Sequence, residues 1–428
     1  MTRSKIVAAI DVGSSKITVL IGQLSEGKEK INVVGASSIP SLGVRKGQIV
    51  DIEEASGVII KSVEAAERMA GFSIGKTLVS VGGAHVSSQN SHGVVAVADP
   101  EGEITQEDVK RVIDAARAIS LPSSREILHV IPRTYTVDSQ QGVADPVGMS
   151  GVRLEVETHI ITASSTAIKN LSKCVSEVGA NIESFIFSGL ASAETVLTDT
   201  EKELGVILLD IGGGITSVVV FVEGAPAYTS VLPIGAKNVT NDLAIGLRLS
   251  LDGAEKLKVA LSENSKKDLL ETAIDKEKED EIDLSKLGIY EETKNVSKKT
   301  LTEGIIRPRL NEIFGMVAEE IQKSGFAGLT PSGVVLVGGG AMTVGVTEAC
   351  RRSLSLPVRV GIPDKVGGLV DDILDPAFTA PIGLLVFGFQ DEGKINKLSM
   401  PGLGEISRKI PIKGMVGKTI SFLRSFLP

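Results

Sequence analysis

Residues 7–21, VAAIDVGSSKITVLI, lie over residues 206–220, VILLDIGGGITSVVV, at a constant offset of 199, so that Asp11 falls on Asp210 and Gly13 on Gly212. In each copy an acid ends an apolar strand, a turn rich in Gly or Ser follows, and a second strand resumes with β-branched residues. Glycines let successive backbone N–H groups point into a concave nest that suits phosphate oxygens. An aspartate at the strand end can hold the hydrated Mg²⁺ that accompanies them. One Asp-x-Gly hairpin is an ordinary turn in most proteins. Two at matched register point to a pair of hairpins facing one another across a phosphate group.

A third glycine cluster, VLVGGGA at 335–341, ends another strand, where missing side chains let a flat ligand approach the backbone. Neither GxxxxGK[ST] nor GxGxxG occurs, so Walker and Rossmann sites fail on their own motifs. Helical spacing appears over 51–71, with Asp51 as N-cap, Ile52, Ala55, Ile59, Val63 and Ala66 inward and Gly71 as stop. Further helices are expected from Thr105 to Ile119, from Thr166 to Gly179, and from Pro308 to Gly325 with Leu310, Ile313, Phe314, Val317 and Ile321 buried. Strand-like runs at 127–130, 155–161 and 333–337 alternate with them, which implies α/β layers.

The chain has 428 residues, enough for about two to four domains. Its formal charge of -8, with no Trp and three Tyr, argues against nucleic acid as a partner. Cys174 and Cys350 lie far apart with no companion motif and read as reduced, buried thiols. The first apolar run stops at Asp11, short of a signal peptide. The longest, 380–389, is too short to span a bilayer, so membrane contact is expected to be peripheral. Residues 262–299 carry 19 charges in 38 positions and read as a solvated surface element.

Charge is distributed unevenly. Residues 408–428 hold Arg408, Lys409, Lys413, Lys418 and Arg424 and no acid, a +5 tail on a body of -13. At helical spacing Met415, Val416, Ile420, Phe422, Leu423, Phe426 and Leu427 share one half-circle, opposite Lys418 and Arg424. That is the pattern of a helix lying in the plane of anionic headgroups; a helix docked on the protein's own core is the other reading. Each basic residue contributes about 1 kcal/mol at such a surface and each large apolar side chain roughly 1.5 to 3 kcal/mol, against the cost of ordering a short helix. One tail would bind reversibly, and a row of tails on a polymer persistently.

At these residues the chain resembles the actin, Hsp70 and sugar-kinase ATPase superfamily, and within it the FtsA family of bacterial cell-division proteins. The superfamily's ordered set is present as phosphate 1 at 11–16, a connecting helix at 182–197, phosphate 2 at 210–216, the adenosine motif at 338–340 and a second connecting helix near 375–385. The family signal is ILHVIPRTYTVD at 127–138, DPVGMSGVRLEVETHIIT at 145–162, PIGAKNVTNDLAIGL at 233–247 and the amphipathic tail. The resemblance implies an α/β, actin-like two-lobed ATPase fold with an inserted small subdomain of the FtsA type. Its divisions would be subdomain 1A at 1–83, 1C at 84–164, the rest of 1A with the first connecting helix at 165–204, and 2A at 205–242. Subdomain 2B would follow at 243–304, the rest of 2A at 305–360, the second connecting segment at 361–393, a linker at 394–413 and the membrane helix at 414–428.

Carried over by motif, Asp11 and Asp210 would organise Mg²⁺, and Gly13, Ser14, Ser15 and Lys16 would hold the phosphates of ATP. Gly212, Gly213, Gly214 and Thr216 would close over them. Glu255 and Lys258 would reach the ribose or adenine, with Gly338, Gly339 and Gly340 beneath the nucleotide. The family also implies self-assembly at the cytoplasmic membrane face of the division site, tethering of the FtsZ C-terminal tail and contact with later division proteins. Lys298, Lys299, Arg307 and Arg309 offer a basic edge for that tail. Family members often read GGGTTD in the second loop, where this chain has Ile215 and Ser217. The place where Hsp70 relatives carry a water-positioning Glu is near Ser188. Both departures imply nucleotide binding with at most weak ATPase activity, in a protein that is mainly a structural adaptor. A sugar kinase would need a second-substrate motif that is absent, and a pilus-assembly ATPase of the same fold is expected to lack the amphipathic tail.

Overall fold

The structure is a computed structural model and describes residues 4–25, 30–99, 101–268, 280–290, 295–368 and 373–389. The repeat forms the centre of two sheets. The first runs in the order Asn181–Phe187, Lys76–Val81, Ser4–Val12, Lys16–Ser25, Ile31–Pro40, Val366–Gly368. The second runs Ala225–Leu232, Thr216–Val222, Val206–Ile211, Val334–Val337, Val358–Val360. In each, a three-stranded antiparallel meander contains the hairpin, and the hairpin's first strand takes parallel neighbours on its other side. The register is the same: Asp11 pairs with Thr18 and Asp210 with Ser217. Inside the turns, the Gly13 N–H donates to the Lys16 carbonyl (3.1 Å) and the Gly212 N–H to the Ile215 carbonyl (2.9 Å).

Parallel neighbours require a crossover, and in the first lobe helix Ile52–Ala70 supplies it. Asp51 caps its start by accepting from the Glu54 N–H, Gly71 closes it, and Ala55, Val58, Ile59, Val63 and Ala66 face the sheet. Between Lys76–Val81 and Asn181–Phe187 the chain inserts an antiparallel sheet in the order Ser87–Ala96, Arg153–Ser164, Arg125–Val137, Gln140–Val143. Helix Gln106–Arg117 covers it from a Thr105/Asp108 capping box, and Ile104, Val112, Leu154 and Val156 form its own core. Helices Ala236–Leu247, Leu251–Asp268 and Arg307–Ser324 pack on the second lobe. In the charged segment, Ile282, Leu284 and Ile289 are buried among solvated neighbours.

Two helices, Ser188–Val196 and Thr379–Phe389, lie between the sheets. Leu190, Ala191, Ile382 and Leu385 join one core with Ile10 and Leu20 of the first sheet and Leu208, Val219 and Val337 of the second. The 380–389 run is apolar all round because Ile382, Leu384, Leu385 and Phe387 are all buried. The connecting helix expected over 182–197 begins only at Ser188, because the residues before it form strand Asn181–Phe187, parallel to Lys76–Val81. Ser164 rather than Thr166 introduces helix Ser165–Ser176. The 394–413 linker and 414–428 helix, with Met415, Val416, Lys418, Ile420, Phe422, Leu423, Arg424, Phe426 and Leu427, lie outside the described residues. Among the described residues, no helix is long and apolar enough to cross a membrane.

Candidate functional site

The two hairpin turns meet at a cleft of about 410 Å³. Asp11, Gly13, Ser14, Ser15 and Lys16 line it from the first lobe, Asp210, Gly212, Gly213 and Gly214 from the second, and Gly338, Gly339 and Gly340 from the strand beside Asp210. The turns approach so closely that a Cβ on Gly213 would lie 2.1 Å from the Ser15 hydroxyl. A Cβ on Gly338 would lie 2.4 Å from a carboxylate oxygen of Asp210. Only bare backbone fits at either place.

The two aspartates are half-buried in the cleft wall. The Ser80 hydroxyl donates to Asp11 (2.5 Å), and the Ser192 hydroxyl to Asp210 (2.9 Å). Burial raises the Asp11 carboxyl above its ordinary value, opposed by Ser80 and Lys16. Asp210 is pushed up to about 6, chiefly by burial, with the charge of Asp11 adding to it. Two desolvated carboxylates, each spending one oxygen on a serine, suit a cation that would relieve both. Among the described residues no group of three or more His, Cys, Asp or Glu side chains is placed to hold a metal ion. Two carboxylate donors fit a hydrated Mg²⁺, which would take its other ligands from water and phosphate.

The Lys16 ammonium lies 3.6 Å from the centre of the Phe378 ring. Burial lowers its pKa, offset by Asp11 and Asp375. At the other end of the cleft Lys258, 7% exposed, donates to Glu255 (2.7 Å) and to the Thr240 hydroxyl (2.9 Å). Glu255 and Lys258 thus form an i,i+3 pair, with both residues on the cleft wall.

Thr216 does not line the cleft. It is fully buried and its hydroxyl donates to the Ile234 carbonyl (2.9 Å), because strand alternation turns Ser217 to the cleft instead. The basic edge is also partly spent. Arg309 holds Asp242 with two hydrogen bonds and pairs with Glu312, while Arg307 pairs with Glu303. The backbone N–H groups of Lys298 and Lys299 donate to Asp280. Ser80, Ser192, Phe378 and Lys237 are site residues that sequence motifs missed. Serines in a strand and a small-residue helix carry no signal of their own, whereas Lys237 stood inside the quoted PIGAKN run.

With this geometry in place, similarity to known proteins becomes decisive. Residues 83–162 match the family model described as "SHS2 domain inserted in FTSA", and residues 207–383 match the one described as "Cell division protein FtsA". The cell division protein FtsA of Pseudomonas aeruginosa is 37% identical over 409 residues, 93% of each chain. The chain belongs to the FtsA family of cell division proteins. Its actin-like fold is shared more widely. A structure of the PilM-PilN type IV pilus biogenesis complex superposes with a TM-score of 0.62 at 16% identity, over 90% of this chain and 99% of that one. Spiroplasma citri MreB5 bound to ADP does so at 0.51 and 12%, over 91% and 97%. The FtsA-type insert is the four-stranded unit described above, set within the first lobe between Lys76–Val81 and Asn181–Phe187.

Proposed function

We propose that this FtsA-family chain binds ATP with Mg²⁺ in the cleft, assembles with copies of itself on the cytoplasmic face of the membrane at the division site, and links the FtsZ C-terminal tail to that surface. The observation that carries the reading is the pair of hairpins, which bring Asp11 and Asp210 to one cleft beside a Gly-Ser-Ser-Lys turn and an all-glycine turn. A cleft of about 410 Å³ is within the range of small-molecule sites. The turn amides and Lys16 hold phosphates, Asp11 and Asp210 hold the hydrated cation, and Glu255, Lys258 and Gly338–Gly340 take the nucleoside end. Magnesium supplies charge neutralisation between the phosphates.

Turnover is slow because the cleft presents Ser188 and Ser217 where relatives of the fold carry a carboxylate, and Ile215 where they carry a hydroxyl, so an attacking water is poorly oriented. The adaptor's other contacts are the 414–428 tail for the anionic surface and the edge around Lys298 and Lys299 for the FtsZ tail, with Arg307 and Arg309 held beside it by acids. Later division proteins complete the assembly.

The test compares the full chain with one ending at residue 413 on anionic vesicles, with FtsZ-tail peptide and Mg-ATP, while phosphate release is followed. The full chain should carry peptide into the vesicle pellet and the shortened chain should not, with turnover below about one per second. Equal sedimentation of both chains, or turnover in the range of ordinary enzymes, would overturn the reading.

A further inference from the structure

Lys237 belongs to neither hairpin, yet it ties them together. It is the second residue of helix Ala236–Leu247, whose start is clamped to the second hairpin: the Ala236 N–H donates to the Gly212 carbonyl and the Lys237 N–H to the Gly213 carbonyl, each at 2.9 Å. From that anchored position the Lys237 ammonium crosses to the first lobe and donates to the Ser14 carbonyl at 2.7 Å. It lines the same cleft as Gly13–Lys16 and Gly212–Gly214.

The internal repeat explains why a cation is wanted there. At the offset of 199, Ile215 stands where the first hairpin has Lys16, so the second hairpin brings no positive charge of its own. Lys237 supplies it from the adjoining helix. The two lysines differ in how they are held. Lys16 sits over Phe378, with Asp11 and Asp375 near it, whereas Lys237 spends its charge on a neutral carbonyl. A phosphate oxygen adds the Coulomb attraction of a full negative charge to the hydrogen bond, which a neutral carbonyl does not offer, so an anion between the turns outcompetes that carbonyl.

We propose that Lys237 is the second lobe's phosphate ligand and the residue that distinguishes a nucleoside triphosphate from a diphosphate. In the free cleft it straps the lobes through Ser14; with a terminal phosphate between the turns its ammonium moves from the carbonyl to a phosphate oxygen. The inference rests on the nucleotide reading above and assigns that site its discriminating residue.

Titration calorimetry of wild type, Lys237→Met and Lys237→Arg with Mg-ATP and Mg-ADP tests it, together with amide hydrogen exchange at 13–16 in the nucleotide-free protein. Lys237→Met should lose about tenfold in affinity for ATP and less than about threefold for ADP, with Lys237→Arg recovering most of the ATP affinity. Exchange at 13–16 should quicken in Lys237→Met. Equal losses for both nucleotides, or none, overturn the proposal while leaving nucleotide binding intact; failure of wild type to bind either nucleotide removes both. Should Lys237→Met not fold, Lys237→Gln is read by the same ATP-to-ADP ratio.

Discussion

The two lobes are built on one five-strand pattern with one hairpin register, and they diverge where that pattern meets its surroundings. In the first lobe the outer strand Ile31–Pro40 is extended by a parallel ladder to Val366–Gly368. In the second, the outer strand Ala225–Leu232 ends the sheet, and side chains from the insert cap its edge. The Ser88 hydroxyl donates to the Thr229 carbonyl (2.8 Å) and accepts from the Thr229 N–H (3.0 Å), and the Asn90 amide donates to the Ala227 carbonyl (3.2 Å). An uncovered edge invites pairing with another chain. A duplicated scaffold has thus been made asymmetric by one insertion, which belongs to the first lobe in sequence and closes the second in space. The turns diverge too, with Lys16 in one and Ile215 at the matching position of the other.

The harshest way to break the comparison is to separate the lobes from the layer they share. A Cβ on Gly383 would lie 1.9 Å from the Ala191 carbonyl oxygen, so the helices Thr379–Phe389 and Ser188–Val196 touch backbone to backbone. Gly383→Ala should cost about 3 kcal/mol, the upper end of ordinary overpacking. In helix Ile52–Ala70, Gly57 has nothing within 4 Å of its Cβ direction, and Gly57→Ala should stabilise by roughly 0.5 to 1 kcal/mol. Calorimetric melting of both variants is the check. With one core running through both sheets, Gly383→Ala should shift a single transition; a melt that splits into a lowered and an unmoved half would show the lobes to be independent bodies.

A milder cut compares the turns directly. Lys16→Met should weaken Mg-ATP binding by about thirtyfold, or about 2 kcal/mol, the scale of a charged hydrogen bond. Ile215→Met, at the matched position, should change it by less than about twofold because no charge is lost there. Equal effects in titration calorimetry would mean that the hairpins contribute alike and that their sequence difference is neutral.

The repeat was legible in the residues themselves and the insert at 84–164 through its family motifs, whereas the contacts that join distant segments were not. The Asp-x-Gly register could be read at 11 and 210 because strand, acid and turn all fall within 15 residues. Helix 51–71 was equally plain, since Asp51, the apolar spacing and Gly71 agree. What failed were properties set by partners distant in the chain. Residues 182–187 are apolar enough for a helix or a strand, and only pairing with Lys76–Val81 decides between them. Ser80 and Ser192 acquire meaning only from the carboxylates folded against them. Thr216 was assigned to the cleft from the loop motif, although strand alternation places its neighbour there.

The capped edge offers the subtlest test, through His159. Its ring is fully buried between Asn90 Oδ1 (2.7 Å from Nδ1) and Thr229 Oγ1 (3.0 Å from Nε2). Because the Asn90 amide nitrogen donates to Ala227, its oxygen faces the ring, which makes Nδ1 the donor and Nε2 the acceptor of the Thr229 hydroxyl. Burial, with Arg133 and His129 nearby, lowers the His159 pKa to about 3. The unfolded chain therefore binds a proton near pH 6.5 that the folded chain refuses, so stability present above that pH is lost as pH falls toward 3. Relative to His159→Gln, the wild type should lose about 1.4 kcal/mol between pH 8 and pH 5.5. Denaturant melts of the two proteins across that range measure it, and parallel pH profiles would show that the insert closes the second lobe without a buried neutral histidine at the seam.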